Sequence, residues 1–214
     1  MAASETTARE LEIRDPDVRL MLEVREDSAA AFEELMLRYQ NRVLTILHNL
    51  VGHREQAEDL AQEVFLRVFR ARKRYVPGAK FSTWLFTIVN NVASNARRTL
   101  ARRKEVHLAP EGSGSMANRS LDALAQAASG QMPTRLLDKA EQRDIVAAAL
   151  ASLNERQRLA VLLCKFEGMS YTDIAEAMEL SPKAIKSLLS RARDNLREVL
   201  EPYLDRGERP LGKT

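Results

Sequence analysis

Between Arg67 and Lys104 the chain carries eleven Lys or Arg side chains and neither Asp nor Glu. The whole sequence of 214 residues has a net charge of only +3, so this block concentrates positive charge locally. Phe69, Tyr75, Phe81, Trp84 and Phe86 are interleaved with the cations, and Asn90 and Asn91 follow. Cations hold a phosphate backbone, aromatic faces stack on exposed bases, and amides read base edges. This mixture suits single-stranded or melted nucleic acid better than an intact duplex. A solvated basic helix pair around an ordinary aromatic core is the competing reading of the same residues.

A second set of residues lies near the C-terminus. Ser170 is placed to cap a helix over Tyr171–Met178 with Asp173 at its N3, and Ser181-Pro182 has the form of an N-cap followed by proline at N1. Between them lies the short turn at Glu179-Leu180. A short helix, a turn and a longer basic helix make a helix-turn-helix, whose second helix enters the major groove. Helical periodicity buries Ile185, Leu189, Ala192, Leu196 and Val199 or Leu200. It turns Lys183, Lys186, Ser187, Ser190, Arg191 and Arg193 outward, where they meet phosphates and base edges. The alternative is a plain helical hairpin with a basic, solvated face.

The elements that position these residues are helical throughout. No long window alternates apolar and polar residues, so the sequence offers no strands. A short helix is expected over Pro16–Arg25. A second, capped by Asp27 or Ser28, ends near Gly52. A third carries one apolar stripe through Ala57, Leu60, Ala61, Val64, Phe65, Val68 and Phe69. Its other face presents Asp59, Gln62, Glu63 and Leu66 at i, i+3, i+4 and i+7. That face is a solvated acidic surface or, with Leu66 exposed, a protein contact. Pro77-Gly78 marks a loop. A fourth helix restarts at Ser82 or Thr83 and buries Leu85, Ile88 or Val89, Val92 and Ala96. Between 105 and 133, Gly, Ser and Pro accumulate and periodicity is lost, as in a flexible linker with transient helix over 121–128. Beyond it, one helix spans 144–153, and Asn154 with Gln157 forms a capping box for the next.

The expected fold class is therefore all-α: two small helical domains joined by a flexible linker. The divisions are 1–17, a disordered N-terminus; 18–104, the first domain; 105–133, the linker; 134–203, the second domain; and 204–214, a disordered tail.

Several functions find no support. His48, His53 and His107 show no metal-ligand spacing, and eight glycines form no phosphate-binding loop. No cofactor and no catalytic group is expected. The lone Cys164 excludes an intramolecular disulfide and, within an apolar run, reads as a buried thiol. No apolar run reaches membrane-span length, and the first residues lack a secretory signal. A cytoplasmic protein without membrane insertion is the expectation.

Three stretches taken together resemble a known family. They are AEDLAQEVFLRVFR at 57–70, FSTWLFTIVNNVASNARR at 81–98, and LNERQRLAVLLCKFEGMSYTDIAEAMELSPKAIKSLLSRAR at 153–193. In this order, with a polar linker between the second and third, they resemble a bacterial RNA polymerase sigma factor of the extracytoplasmic-function type. The resemblance covers about 20–105 and 134–201. It implies that the first domain is region 2, with Asp59, Gln62, Glu63 and Leu66 docking on the clamp helices of the largest subunit of core RNA polymerase. It implies that Tyr75, Lys80, Phe81, Trp84, Asn91, Ser94, Asn95 and Arg98 open and hold the −10 element. Asn91, Asn95 and Arg98 fall on one helical face, with Ser94 beside them. The second domain would be region 4, with Lys183, Lys186, Ser187, Ser190, Arg191 and Arg193 at the −35 element. Leu188 stands where many relatives carry a basic residue, which leaves it to widen the apolar seam. Promoter DNA, as duplex and as melted strand, is the implied ligand, and an anti-sigma factor is a further candidate partner. A helix-turn-helix regulator with a separate helical sensor domain, or a helical interaction module without nucleic acid, are the other readings. The basic aromatic block favours the first reading over the regulator.

Overall fold

The computed structural model describes residues 11–106 and 133–205. Eight labelled helices account for most of them: α1 Pro16–Arg25, α2 Ala29–Val51, α3 Arg54–Ala71, α4 Phe81–Val106, α5 Pro133–Ser152, α6 Glu155–Lys165, α7 Tyr171–Ala177 and α8 Pro182–Asp205. A 3₁₀ turn, Arg72–Arg74, follows α3. No strand occurs among the described residues. None of the described helices is long and apolar enough to cross a membrane.

The helix ends follow local chemistry. Ser28 Oγ accepts from the Ala31 amide and opens α2, and Gly52 closes it at φ 79°, a backbone conformation that favours glycine. Asn154 with Gln157, and Ser170 with Asp173, both complete reciprocal capping boxes. α4 begins at Phe81, one or two residues before the expected start.

Asp15 falls within the segment expected to lack order, yet it caps two helices. Its Oδ1 accepts from the Asp17 amide, capping α1, and its Oδ2 accepts from the Phe81 amide at 2.9 Å, capping α4. One carboxylate thus satisfies orphan donors on two helices and complements both helix dipoles. Residues 11–14 are helical as well, so order begins before residue 17. At the other boundaries, α4 continues through Val106 and α8 through Asp205. The remainder of the expected linker, its transient helix over 121–128 and His107 lie outside the described residues.

In the first half, α2 packs on α1 and α3, and α4 closes the bundle. Val43, Leu47, Val64, Leu85, Phe86 and Val89 are fully buried between them. Each such side chain contributes about 1.5–3 kcal/mol of transfer free energy, offset in large part by ordering entropy. The α3 stripe is narrower than its periodicity predicts. Phe69 is 41 % exposed, because α2 covers only the near side of the ring through Phe32, centroid to centroid 5.2 Å. Arg72 covers the outer face at 3.9 Å, a cation–π contact.

In the second half, α8 packs across α5, α6 and α7. Ile174, Ala175, Ile185, Leu189 and Ala192 form the seam of the helix-turn-helix. Cys164 is half-buried against the core rather than enclosed. Arg158 closes the end of α5, donating to the carbonyls of Leu150, Ala151 and Leu153. The Leu150 carbonyl also accepts from the Leu153 amide at 3.2 Å, and the guanidinium supplies the remaining donors at this helix end, doing the work of a C-cap.

The two halves also touch. α4 packs on α7 and α2 on α6. Arg158 Nη1 donates to the Asn49 carbonyl at 2.8 Å, and Arg42 Nε donates to Glu167 at 2.7 Å. Lys80 pairs with Asp173, and Arg97 with Glu155.

Candidate nucleic-acid and polymerase interfaces

The helix-turn-helix is built by short-range devices. The α7 capping box fixes its first turn, and Glu179 at φ 54° reverses the chain. The Leu180 amide donates to the Ala175 carbonyl at 2.8 Å, the six-residue closure of a Schellman turn. Ser181 then accepts from the Ala184 amide at 3.2 Å and opens α8. Lys183, Lys186, Ser187, Ser190, Arg191 and Arg193 are all exposed, as the sequence predicts. Arg191 Nη2 donates to Ser187 Oγ at 3.0 Å, which holds the guanidinium along the helix. Among the described residues, no ion pair engages Lys183, Lys186, Arg191 or Arg193. In the first half, by contrast, Arg67 is held by Glu63 and both Arg72 and Lys73 by Asp27. An unneutralised cation row is what a phosphate backbone requires.

The α4 residues divide. Asn91, Asn95 and Arg98 are exposed on one face, with Ser94 partly exposed beside them. Arg98 Nη2 donates to Asn95 Oδ1 at 2.8 Å, which orients both groups outward together. Lys80 is exposed but paired with Asp173 at 2.9 Å. Trp84 is half-buried, with its ring against Tyr75 at 4.9 Å and Phe81 at 5.9 Å. Tyr75 and Phe81 depart from the expectation of base-stacking faces. They are 4 % and 1 % exposed, and Phe81 also meets Tyr39 edge-on at 5.2 Å. The loop before α4 folds both rings inward, where transfer from water outweighs any gain from display. Burial pushes the Tyr75 phenol well above its ordinary pKa, and the Asp15 charge adds to this.

On α3, Asp59 and Gln62 are exposed, Glu63 is partly covered and bound to Arg67 at 2.7 Å, and Leu66 is 49 % exposed. Gln62 and Leu66 line an apolar groove of about 630 Å³ between α2 and α3; Asp59 and Glu63 lie outside its lining. Phe32, Met36, Leu44, Ala61, Phe65 and Phe69 supply the rest of its apolar surface. The sequence reading missed this contribution of α2. The i, i+3 spacing of Leu66 and Phe69 is the available signal, since two large apolar side chains one turn apart cannot both face the bundle core and solvent. No cluster suited to a metal ion occurs among the described residues.

The family model for Sigma-70 region 2 matches residues 35–103, and that for Sigma-70 region 4 matches residues 143–196. RNA polymerase sigma factor CarQ of Myxococcus xanthus is 34% identical over 82% of this chain and 92% of its own length. The ECF RNA polymerase sigma factor SigE of Mycolicibacterium smegmatis is 30% identical over 88% of this chain and 70% of its own length. The chain belongs to the extracytoplasmic-function RNA polymerase sigma factors. Its fold is similar to that of the sigma factor RpoE of Bartonella quintana, solved in complex with the anti-sigma factor NepR. The TM-score is 0.61 at 24% identity, over 79% of this chain and 96% of that one. The first half of this sigma factor is thus region 2 and the second half region 4. Its activity is that of its family: it directs RNA polymerase to promoters.

Proposed function

We propose that the two halves divide promoter recognition between them. α8 lies in the major groove of the −35 duplex, with Lys183, Lys186, Ser187, Ser190, Arg191 and Arg193 on backbone and base edges. The α4 face of Asn91, Asn95 and Arg98, with Ser94, Lys80 and Trp84, holds the −10 strand after melting. The observation that carries this reading is the contrast in charge pairing. The α8 cations are exposed and unpaired among the described residues, whereas much of the region 2 basic block is neutralised by Asp27, Glu63 and Asp173. A free cation row suits an intact duplex that carries full charge from the start. Amide groups beside a half-buried indole suit bases that have left the stack.

The groove between α2 and α3, with Gln62 and Leu66 on its edge and the acidic Asp59 and Glu63 beside it, docks on the clamp helices of core polymerase. An anti-sigma factor is proposed as a second partner, supported by the likeness of the fold to an RpoE solved with one.

The test is transcription in vitro by core polymerase on a promoter library, with and without the protein. Selected promoters should share an upstream and a downstream element and be silent without the chain. Tight, sequence-specific binding of the isolated chain to duplex promoters, with no gain from polymerase, would overturn the proposal.

A further inference from the structure

Asp27 closes the turn between α1 and α2 at φ 67°, in the left-handed region where aspartate and asparagine are the side chains best tolerated after glycine. Its amide donates to the Val24 carbonyl at 3.0 Å. Its carboxylate reaches the 3₁₀ turn that follows α3. Oδ1 accepts from Arg72 Nε at 3.1 Å, and Oδ2 accepts from Lys73 Nζ at 2.6 Å. One carboxylate thus bridges two consecutive cations. Hydrogen bonds from Lys73 and then Arg72 hold it below its ordinary value of 3.8. Arg72 is fixed independently by Phe69, whose carbonyl accepts from Nη1 at 2.9 Å and whose ring lies 3.9 Å from the guanidinium. The turn runs directly into Tyr75, which packs on Trp84 at 4.9 Å. The bridged cations therefore stand at the edge of the α4 surface.

We infer that Asp27 is a specificity-determining residue: it withholds Arg72 and Lys73 from DNA phosphates, so that region 2 selects a strand by its amides and indole rather than by charge. The inference rests on the reading of the α4 face as the −10 surface. Phosphate contacts give affinity to any sequence, and each free cation can add one. With Arg72, Lys73 and Arg74 all free, this turn would hold non-promoter DNA by the same charge that it offers the −10 strand. The bridge matters more than a simple pair. A phosphate that draws one cation away still meets the carboxylate, which the other cation keeps in place. A structural clasp is the competing account, and three observations weigh against it. Arg72 is already fastened to Phe69. Asp27 and Lys73 are both exposed, and an exposed pair adds little stability. Glycine would make this turn with less strain, so the charge itself is the gain that an aspartate brings.

The experiment uses the full-length chain, alone and as polymerase holoenzyme. Asparagine tolerates the left-handed region as aspartate does, so Asp27→Asn deletes the charge and keeps the turn. Anisotropy follows binding of the full-length chain to a fluorescent duplex without promoter sequence, across a salt series. Asp27→Asn should tighten this binding about five- to tenfold and steepen the slope of log K against log salt by about 0.9 to 1.8, one or two phosphate contacts. Asp27→Gly, which relieves the backbone as well, should show the same gain. Adding Arg72→Gln and Lys73→Gln to Asp27→Asn should return affinity and slope to those of the parent. In transcription by holoenzyme, the preference for an intact over a scrambled −10 element should fall about threefold or more in Asp27→Asn. Unchanged affinity and slope in both Asp27 variants, with normal helicity, would make the residue a structural clasp and overturn the inference. A gain that survives removal of both cations would overturn it as well. Should the unaltered holoenzyme transcribe equally from the scrambled template, the reading of the α4 face falls and takes the inference with it, a result distinct from the other two.

Discussion

Lys80 and Asp173 meet across the two halves of the molecule, with Lys80 Nζ 2.9 Å from Asp173 Oδ2. The same carboxylate accepts from the Ser170 amide in the α7 capping box. It therefore joins the loop before α4 to the first turn of the helix-turn-helix. A strand that engages Lys80 must first part this pair.

Burial pushes the Asp173 carboxyl up, but hydrogen bonds from Lys80 and Ser170, with the Lys80 charge, outweigh it and hold the group below its ordinary value of 3.8. A depressed carboxylate stabilises the fold above its unfolded pKa, and that stability is lost as pH falls through the folded value. Asp173→Ala should cost about 1 kcal/mol at neutral pH, chiefly through the cap, and flatten the acid limb of stability. Lys80→Ala leaves the cap intact and should cost no more than about 0.5 kcal/mol, since the pair is solvent-screened. Urea denaturation at several pH values checks both, and equal costs for the two variants would show that the cap is not the main contributor.

His48 sits in the last turn of α2, and burial lowers its pKa below 6.5, with Arg54 and His53 adding like-charge repulsion. The neutral ring is favoured in the fold. Its contribution is complete above 6.5 and is lost as pH falls through the lowered value. His48→Gln should show a flatter stability profile than the parent between about pH 7 and 5. A parallel profile would assign the acid sensitivity to other groups.

Leu66 and Glu63 separate the two components of the α3 face. Leu66→Ala removes an exposed apolar anchor of the groove and should weaken core polymerase binding about tenfold, with a stability change within about 1 kcal/mol. Glu63→Lys should slow association and flatten its salt dependence, because it removes a screened attraction that acts on encounter. Surface-plasmon kinetics with core polymerase measures both. Unchanged kinetics for both variants, with normal helicity, would remove this face from the interface.

Asn91→Ala and Lys186→Ala should fail at different steps. Asn91 is exposed on α4, and its loss should leave −35 protection intact while reducing permanganate reactivity of −10 thymines on linear duplex. A pre-melted template should recover part of that activity. Lys186→Ala should weaken −35 protection, by about 1–3 kcal/mol at one base pair if the side chain reads a base. Normal opening and promoter preference in Asn91→Ala would place the downstream-reading face elsewhere. Trp84→Ala is a poorer probe, because its half-buried ring packs on Tyr75 and Phe81.

The sequence by itself determined what depends on neighbours within one or two turns. Ser28, Gly52, Asn154 with Gln157, Ser170 with Asp173, and Ser181-Pro182 act over three or four residues, so their roles survive in any context that lets the helices form. The outward row of α8 was legible for the same reason: helical period alone separates Lys186 and Arg191 from Ile185 and Leu189. Tertiary structure alone decided which apolar faces find cover. Tyr75 and Phe81 carry the same residue types as exposed stacking platforms, and Phe69 continues a buried stripe. Only the placement of α2 and the loop before α4 buries the first two and exposes the third. Asp15 and the pairing of Lys80 were likewise illegible, because their partners lie far along the chain. A side chain's charge and size are written in sequence, but the groups that neutralise or cover it are set by the packing of distant helices, which no local period records.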